Sequence, residues 1–178
     1  MQDPAPLEPW LPGKTVAIKM LWLSDAYAEG ALVLCNALAT DDYARQFTNS
    51  RVILHLCRHA AELFLKGAIG AKTGSVPSNT HRLDRLYKRY SSLYPLEKHH
   101  IDLPFPSGAV ESDDSLFPGS LEEYQRTHDQ RFRYPTDNHG NAFTEKESFN
   151  VAAYQSKVEA FRSAINTMVA RIAFGWEL

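Results

Sequence analysis

The stretch from Arg51 to Gly70, RVILHLCRHAAELFLKGAIG, sets the terms for the whole chain. Wound as a helix, it is apolar around most of its circumference. Ile53, Leu56, Cys57, Ala60, Leu63, Phe64 and Ala68 recur at intervals of three and four. Leu54, Ala61, Leu65 and Ile69 form a second apolar line beside them. A helix of this kind belongs inside a bundle, with partners on several sides. One stripe is polar: Arg51, His55, Arg58, His59, Glu62 and Lys66. Buried charge is tolerated only when paired, so this stripe must be satisfied by neighbours or must line a site.

The flanking segments supply helical partners. Between Thr15 and Ala39, Ala17, Met20, Ser24, Tyr27, Ala31, Leu34 and Leu38 alternate spacings of three and four, and Leu21, Ala28 and Cys35 thicken the stripe. Tyr43 to Ser50 reads either as a connection or as the first turns of the central helix. GAKTGSVPSNT, from Gly70 to Thr80, is a loop by composition. Asn79 or Thr80 is placed to cap a helix over His81–Leu93, with Leu83, Leu86 and Tyr90 inward and Arg82, Arg85, Lys88 and Arg89 on a basic face. Pro95, Pro104, Pro106 and Pro118 break the segment over residues 94–119 into a long connection. Two capping boxes follow, Ser120 to Glu123 and Thr144 to Glu147, the second opening the last helix. There Val151, Tyr154, Val158, Phe161, Ile165, Met168 and Ile172 keep the most regular rhythm in the chain.

No strand-like alternation of any length interrupts this pattern. The expected fold is all-α, an up-and-down bundle of four or five helices with a long Pro-rich connection between the third and last long helices. Residues 1–13, with four prolines, form an extended arm, and residues 14–178 form a single helical-bundle domain.

A chain of 178 residues can bury a core of this size without a metal or a disulfide. Its two cysteines, Cys35 and Cys57, fall at core-periodic positions and read as small buried hydrophobes. The net charge of −2 provides no global field for nucleic acid or membrane. Locally, however, residues 51–100 hold nine Lys/Arg against three acids, whereas residues 101–125 hold six acids and no Lys or Arg. That asymmetry fits an anion site beside an acidic flap, or plain surface neutralisation. The start of the sequence lacks a basic region followed by an apolar run, and no stretch reaches the roughly 20 apolar residues of a membrane span. A cytoplasmic location without membrane contact is the expectation.

Several chemistries find no motif. There is no nucleophile elbow and no glycine-rich phosphate loop. His55 and His59 stand one helical turn apart, but a leucine follows His55 where a metallopeptidase has glutamate, so no metal or other cofactor is expected. Arg58 with Glu62, and Glu62 with Lys66, are i, i+4 pairs worth about 0.2–0.5 kcal/mol each when exposed. Shielded within the bundle, Arg58, His59, Glu62 and Lys66 suit a phosphate or carboxylate ligand, or a network that fixes the next helix. Arg126, Arg131 and Arg133 with Tyr124, Phe132 and Tyr134 mix guanidinium and aromatic groups, which can stack bases and hold phosphate or anchor a loop.

The run RHAAELFLK from Arg58 to Lys66, the loop after it, THRL from Thr80 to Leu83 and FRYPTD from Phe132 to Asp137 together resemble the HEPN (higher eukaryotes and prokaryotes nucleotide-binding) superfamily. The resemblance covers residues from about Leu21 to Ile172. It implies a helical bundle that forms a homodimer and binds a nucleotide, RNA or a partner protein, as in defence or toxin–antitoxin systems. Arg58, His59, Glu62, Lys66, His81 and Arg131 are then the candidate ligand-binding residues. Many members are metal-independent endoribonucleases with an arginine and a following histidine separated by four to six residues. Arg133 and His139, with five residues between them, match that count and are the candidate catalytic pair, although they straddle Pro135. A non-catalytic dimerisation module is the remaining alternative.

Overall fold

The structure is a computed structural model that describes residues 13–40, 46–104, 140 and 151–175. Among the described residues every regular element is helical. The long helices are α1 (Val16–Thr40), α2 (Gln46–Thr73), α3 (Leu83–Leu93) and α4 (Val151–Phe174), with one 3-10 turn at Glu97–His99. The all-α expectation holds. Gln46 to Ser50 are the first turns of the central helix and not a connection. The extended arm, the Pro-rich connection beyond Pro104 and both capping boxes lie outside the described residues.

The core forms where the sequence placed it, except that Leu56 and Leu63 of the inward line are only half-buried. In α2, Ile53, Cys57, Ala60, Phe64, Ala68 and Ile69 are buried, as are Leu54, Ala61 and Leu65 on the neighbouring line. In α4, Val158, Phe161, Ile165 and Met168 face the same interior. In α1, the most deeply buried positions are Leu21, Ser24, Ala28, Ala31 and Cys35. Met20, Tyr27 and Leu34 sit at the edge of this face and are only half-buried. Both thiols are free and buried, and burial together with the Cys35 thiol pushes Cys57 up to about 12. They behave as packing groups.

Helix directions follow from the contacts. Gly67 lies against Ala17 and Leu21, while His59 meets the Tyr27 ring, so α1 and α2 are antiparallel. A polar ladder joins α1 to α4: Asn166 donates to Asp25, Arg162 pairs with Glu29, and Gln155 donates to Asn36. Rising numbers on α1 meet falling numbers on α4, so this pair is antiparallel too. The third helix breaks the alternation. Arg58 near the middle of α2 bonds the carbonyl of His81, and Tyr94 bonds the carbonyl of Ala68. The loop after α2 therefore doubles back, with Val76 against Gly70, and α3 runs along α2 in the same direction.

The first turn of α3 differs from the expected cap. Arg82 is the N-cap and makes no side-chain capping bond. Thr80 instead accepts from the Arg82 amide, and Arg82 clasps Asp84 through two guanidinium bonds. Asp84 in the first turn also offsets the positive end of the helix dipole. No described helix is long and apolar enough to cross a membrane.

Glycine at position 67 is what lets α1 approach α2 so closely. A Cβ there would stand 2.9 Å from the Ala17 carbonyl oxygen and 2.9 Å from Leu21 Cγ. Gly67→Ala should therefore lower stability by about 1–3 kcal/mol despite alanine's better helix propensity. Chemical denaturation reads the change directly; an unchanged or raised midpoint would contradict this packing.

Candidate functional site

The polar stripe of α2 splits in two. Arg58, Glu62 and Lys66 are only 4%, 6% and 6% exposed, so three charges sit inside the fold. Glu62 is their hub. Arg58 Nη1 donates to Oε2 at 3.2 Å, Lys66 Nζ donates to Oε1 at 2.9 Å, and His81 Nδ1 reaches the same Oε1 at 2.7 Å. Arg58 also donates through Nη2 to the His81 carbonyl at 2.8 Å. Thus His81, arriving from the loop ahead of α3, closes the cluster, and its ring lies largely in solvent. Burial pushes the Glu62 carboxyl up, but the bond and charge of Lys66, the charge of Arg58 and the bond to His81 outweigh it. The carboxyl ends below its ordinary value, as a buried charge with good partners should.

His59 does not join this cluster. Its ring packs edge-on against Tyr27 at 4.5 Å and stacks on His55 at 6.1 Å. Of the candidates, the structure brings together Arg58, Glu62, Lys66 and His81, with His59 one step aside. Arg131, Arg133 and His139 lie outside the described residues. Among the described residues, no group of three or more His, Cys, Asp or Glu side chains is placed to hold a metal ion.

A second cluster, at the far end of α3, went unread in the sequence. Tyr87, Tyr90 and Tyr94 recur at helical spacing and meet His99 of the 3-10 turn and His100, which caps it. Tyr90 and Tyr94 stack at 5.0 Å, and His99 stands edge-on to Tyr94 at 5.6 Å. Tyr90 donates to the His99 carbonyl and Tyr87 to the Ile101 carbonyl, while Arg171 of α4 donates to the Lys98 carbonyl. These bonds pin the turn to the bundle. His100 then lies between the Tyr87 hydroxyl at 3.2 Å and the Asp102 carboxylate at 2.9 Å. Tyr87, Ser91, Tyr94, Glu97, His99 and His100 border a groove of about 180 Å³. The spacing 87, 90, 94 was the available signal, but such a stripe reads first as core, which two of its three members are.

Exposed cations lie on the same helix and turn. Lys88 is one turn before Ser91, Lys98 sits in the 3-10 turn, and Arg85 and Arg89 are exposed on the other side of α3 from Tyr87. His99 is 4% exposed, and neither ring nitrogen has a hydrogen-bond partner among the described residues. Burial, then the charges of Lys98, Arg171 and Lys72, push the His99 ring below its ordinary value.

Two outcomes follow from the charges. Glu62→Ala removes the carboxylate shared by buried Arg58 and Lys66 and should cost about 3–5 kcal/mol, measured by denaturant unfolding. A loss below about 1 kcal/mol would show the cluster to be solvated. The second outcome concerns pH. The folded state holds His99 neutral while the unfolded chain binds its proton near the ordinary value of about 6.5. The His99 contribution is complete above that value and falls as pH drops below it toward the lower folded value. Glu62 adds a second loss, starting below its own ordinary value of 4.5. Thermal unfolding between pH 7.5 and 5 should therefore show falling stability that His99→Phe flattens. An equal slope in the variant would refute the assignment.

Compared with protein-family models, curated proteins and solved structures, the chain matches none.

Proposed function

We propose that this chain is a HEPN-like helical module that binds RNA, with α3 and the turn after it as the contact surface. The supporting observation is the exposure of Arg85, Lys88 and Arg89 along the solvent side of α3, with Lys88 one turn before Ser91 of the tyrosine–histidine groove. Exposed cations hold phosphates without first breaking an internal pair. An aromatic-edged groove with Ser91, His100 and Glu97 offers stacking and hydrogen bonding to an unpaired base. The α2 stripe is less suited to direct contact. Its charges are already engaged with one another, and a ligand would have to displace His81 to reach them. In this reading Arg58, Glu62 and Lys66 set the position of α3, and α3 meets the ligand.

The same reading takes the chain to act in the cytoplasm as a homodimer. Catalysis, where present, is metal-independent RNA cleavage by Arg133 and His139, the pair whose spacing fits the resemblance.

Binding of a labelled single-stranded RNA at two salt concentrations tests the proposal. Affinity should fall as salt rises, and the double variant Lys88→Ala/Arg89→Ala should weaken binding and reduce the salt slope by about two. Lys66→Ala should instead lower the melting temperature, through the loss of a partner for Glu62. Incubation with EDTA reports cleavage in the same assay, and loss of cleavage in His139→Ala would assign it. Absence of RNA binding, or binding untouched by the double variant, would overturn the proposed surface.

A further inference from the structure

His99 is buried in a way that packing alone does not explain. It is 4% exposed, and neither Nδ1 nor Nε2 has a hydrogen-bond partner among the described residues. Burial, followed by the charges of Lys98, Arg171 and Lys72, keeps the ring neutral against the pull of the Tyr94 carbonyl. A neutral imidazole carries one donor and one acceptor, and leaving both unmade in the interior is costly. Phenylalanine would fill the same space against Tyr94 without that cost. The ring does border the groove between α3 and the turn, so a group entering the groove can meet what the fold leaves unpaired.

The groove limits what enters. All of its bordering residues lie between positions 87 and 100, and none of them is lysine or arginine. Its volume is about 180 Å³, whereas pockets that hold whole drug-sized ligands run to roughly 300–1,000 Å³. That space suits one flat ring system and not a ring with its sugar and phosphate. Pro95, Leu96 and the half-buried Tyr87 supply apolar sides for such a ring. A phosphate would meet no cation at this border, and would meet the Glu97 carboxylate.

The unclaimed polar groups decide which ring. The three tyrosine hydroxyls already donate to the carbonyls of Ile101, His99 and Ala68, and His100 is held by Tyr87 and Asp102. The Glu97 carboxylate, the Ser91 hydroxyl and the His99 ring remain, without side-chain hydrogen bonds among the described residues. An ionised carboxylate only accepts, through two oxygens side by side, and its best partner is a pair of adjacent N–H donors. Guanine carries that pair at N1 and its 2-amino group. Adenine and cytosine set a ring-nitrogen acceptor beside their amino group, and uracil has one N–H between two carbonyls. Each of those edges brings a lone pair against the carboxylate. Guanine also offers O6 and N7 as acceptors for a hydroxyl and an imidazole N–H.

We propose that the groove between α3 and the 3-10 turn is a guanine subsite, with Glu97 accepting from N1–H and the 2-amino group, and Ser91 and His99 donating to O6 and N7. The proposal rests on the RNA reading above and adds the base that the surface selects.

The whole chain is titrated with single-stranded oligoadenylates of one length that carry guanine, hypoxanthine, cytosine or adenine at one central position. Guanine should bind at least about tenfold more tightly than adenine, the scale on which a matched bidentate pair discriminates. Hypoxanthine, which lacks only the 2-amino group, should lose most of that preference. Glu97→Gln and His99→Phe should each bring the guanine-to-adenine ratio toward one, with helical content and melting at pH 7.5 retained. Free guanosine, which is uncharged, should shift the NMR signals of Ser91 and His99 with an affinity that salt does not change. RNA binding without a guanine preference in the wild type, or a preference that Glu97→Gln leaves intact, would overturn the subsite and leave the RNA-binding surface standing. Guanosine held in the groove by a chain that binds no RNA would overturn the RNA reading and keep the groove as a nucleoside site. Binding of neither would overturn both.

Discussion

Glu62 is the constraint on which the rest of the molecule depends. A carboxylate taken out of water has to be matched by nearby positive charge and hydrogen bonds. Two of its partners, Arg58 and Lys66, lie one turn to either side on the same helix. They would satisfy it without any help from the rest of the chain. The third, His81, comes from the loop that leaves α2, and Arg58 holds the backbone of the same residue. The cluster thereby fixes where the chain returns to the bundle. Because that point is halfway along α2 and not at its end, α3 must run beside α2 in the same direction.

This placement carries the aromatic cluster with it. Tyr90 meets Phe64, within the span of the ion cluster on α2, and Tyr94 meets Ala68, just past its Lys66 end. The turn that follows is secured from three directions by Tyr87, Tyr90 and Arg171. Its groove is consequently built on regular elements, and Arg85, Lys88 and Arg89 project from the solvent side of α3. Buried charges organise, and exposed charges remain available. The division explains how a chain of slightly negative net charge can still present a basic surface.

Much of the fold was legible in the sequence, for clear physical reasons. Helical periodicity reports burial, so Ile53, Phe64, Phe161 and Ile165 could be placed inside before any coordinates. The shielding of Arg58, Glu62 and Lys66 followed from the apolar residues around them. The direction of α3 was not legible, because no pattern states where a loop of glycine, proline and serine will land. His59 was grouped with the ion cluster by adjacency to Arg58, yet a 100° turn of the helix carries it to Tyr27. The tyrosine–histidine groove was hidden because its residues obey the same spacing as core.

The central claim is that the Glu62 cluster holds α3 in place. Amide hydrogen exchange of Glu62→Gln against wild type tests it most directly, since this change removes the charge and keeps the shape. Protection should fall across Leu83–Leu93 and the Glu97–His99 turn while α1, α4 and the interior of α2 stay protected. Unchanged protection in α3, or a uniform loss over all four helices, would contradict the account.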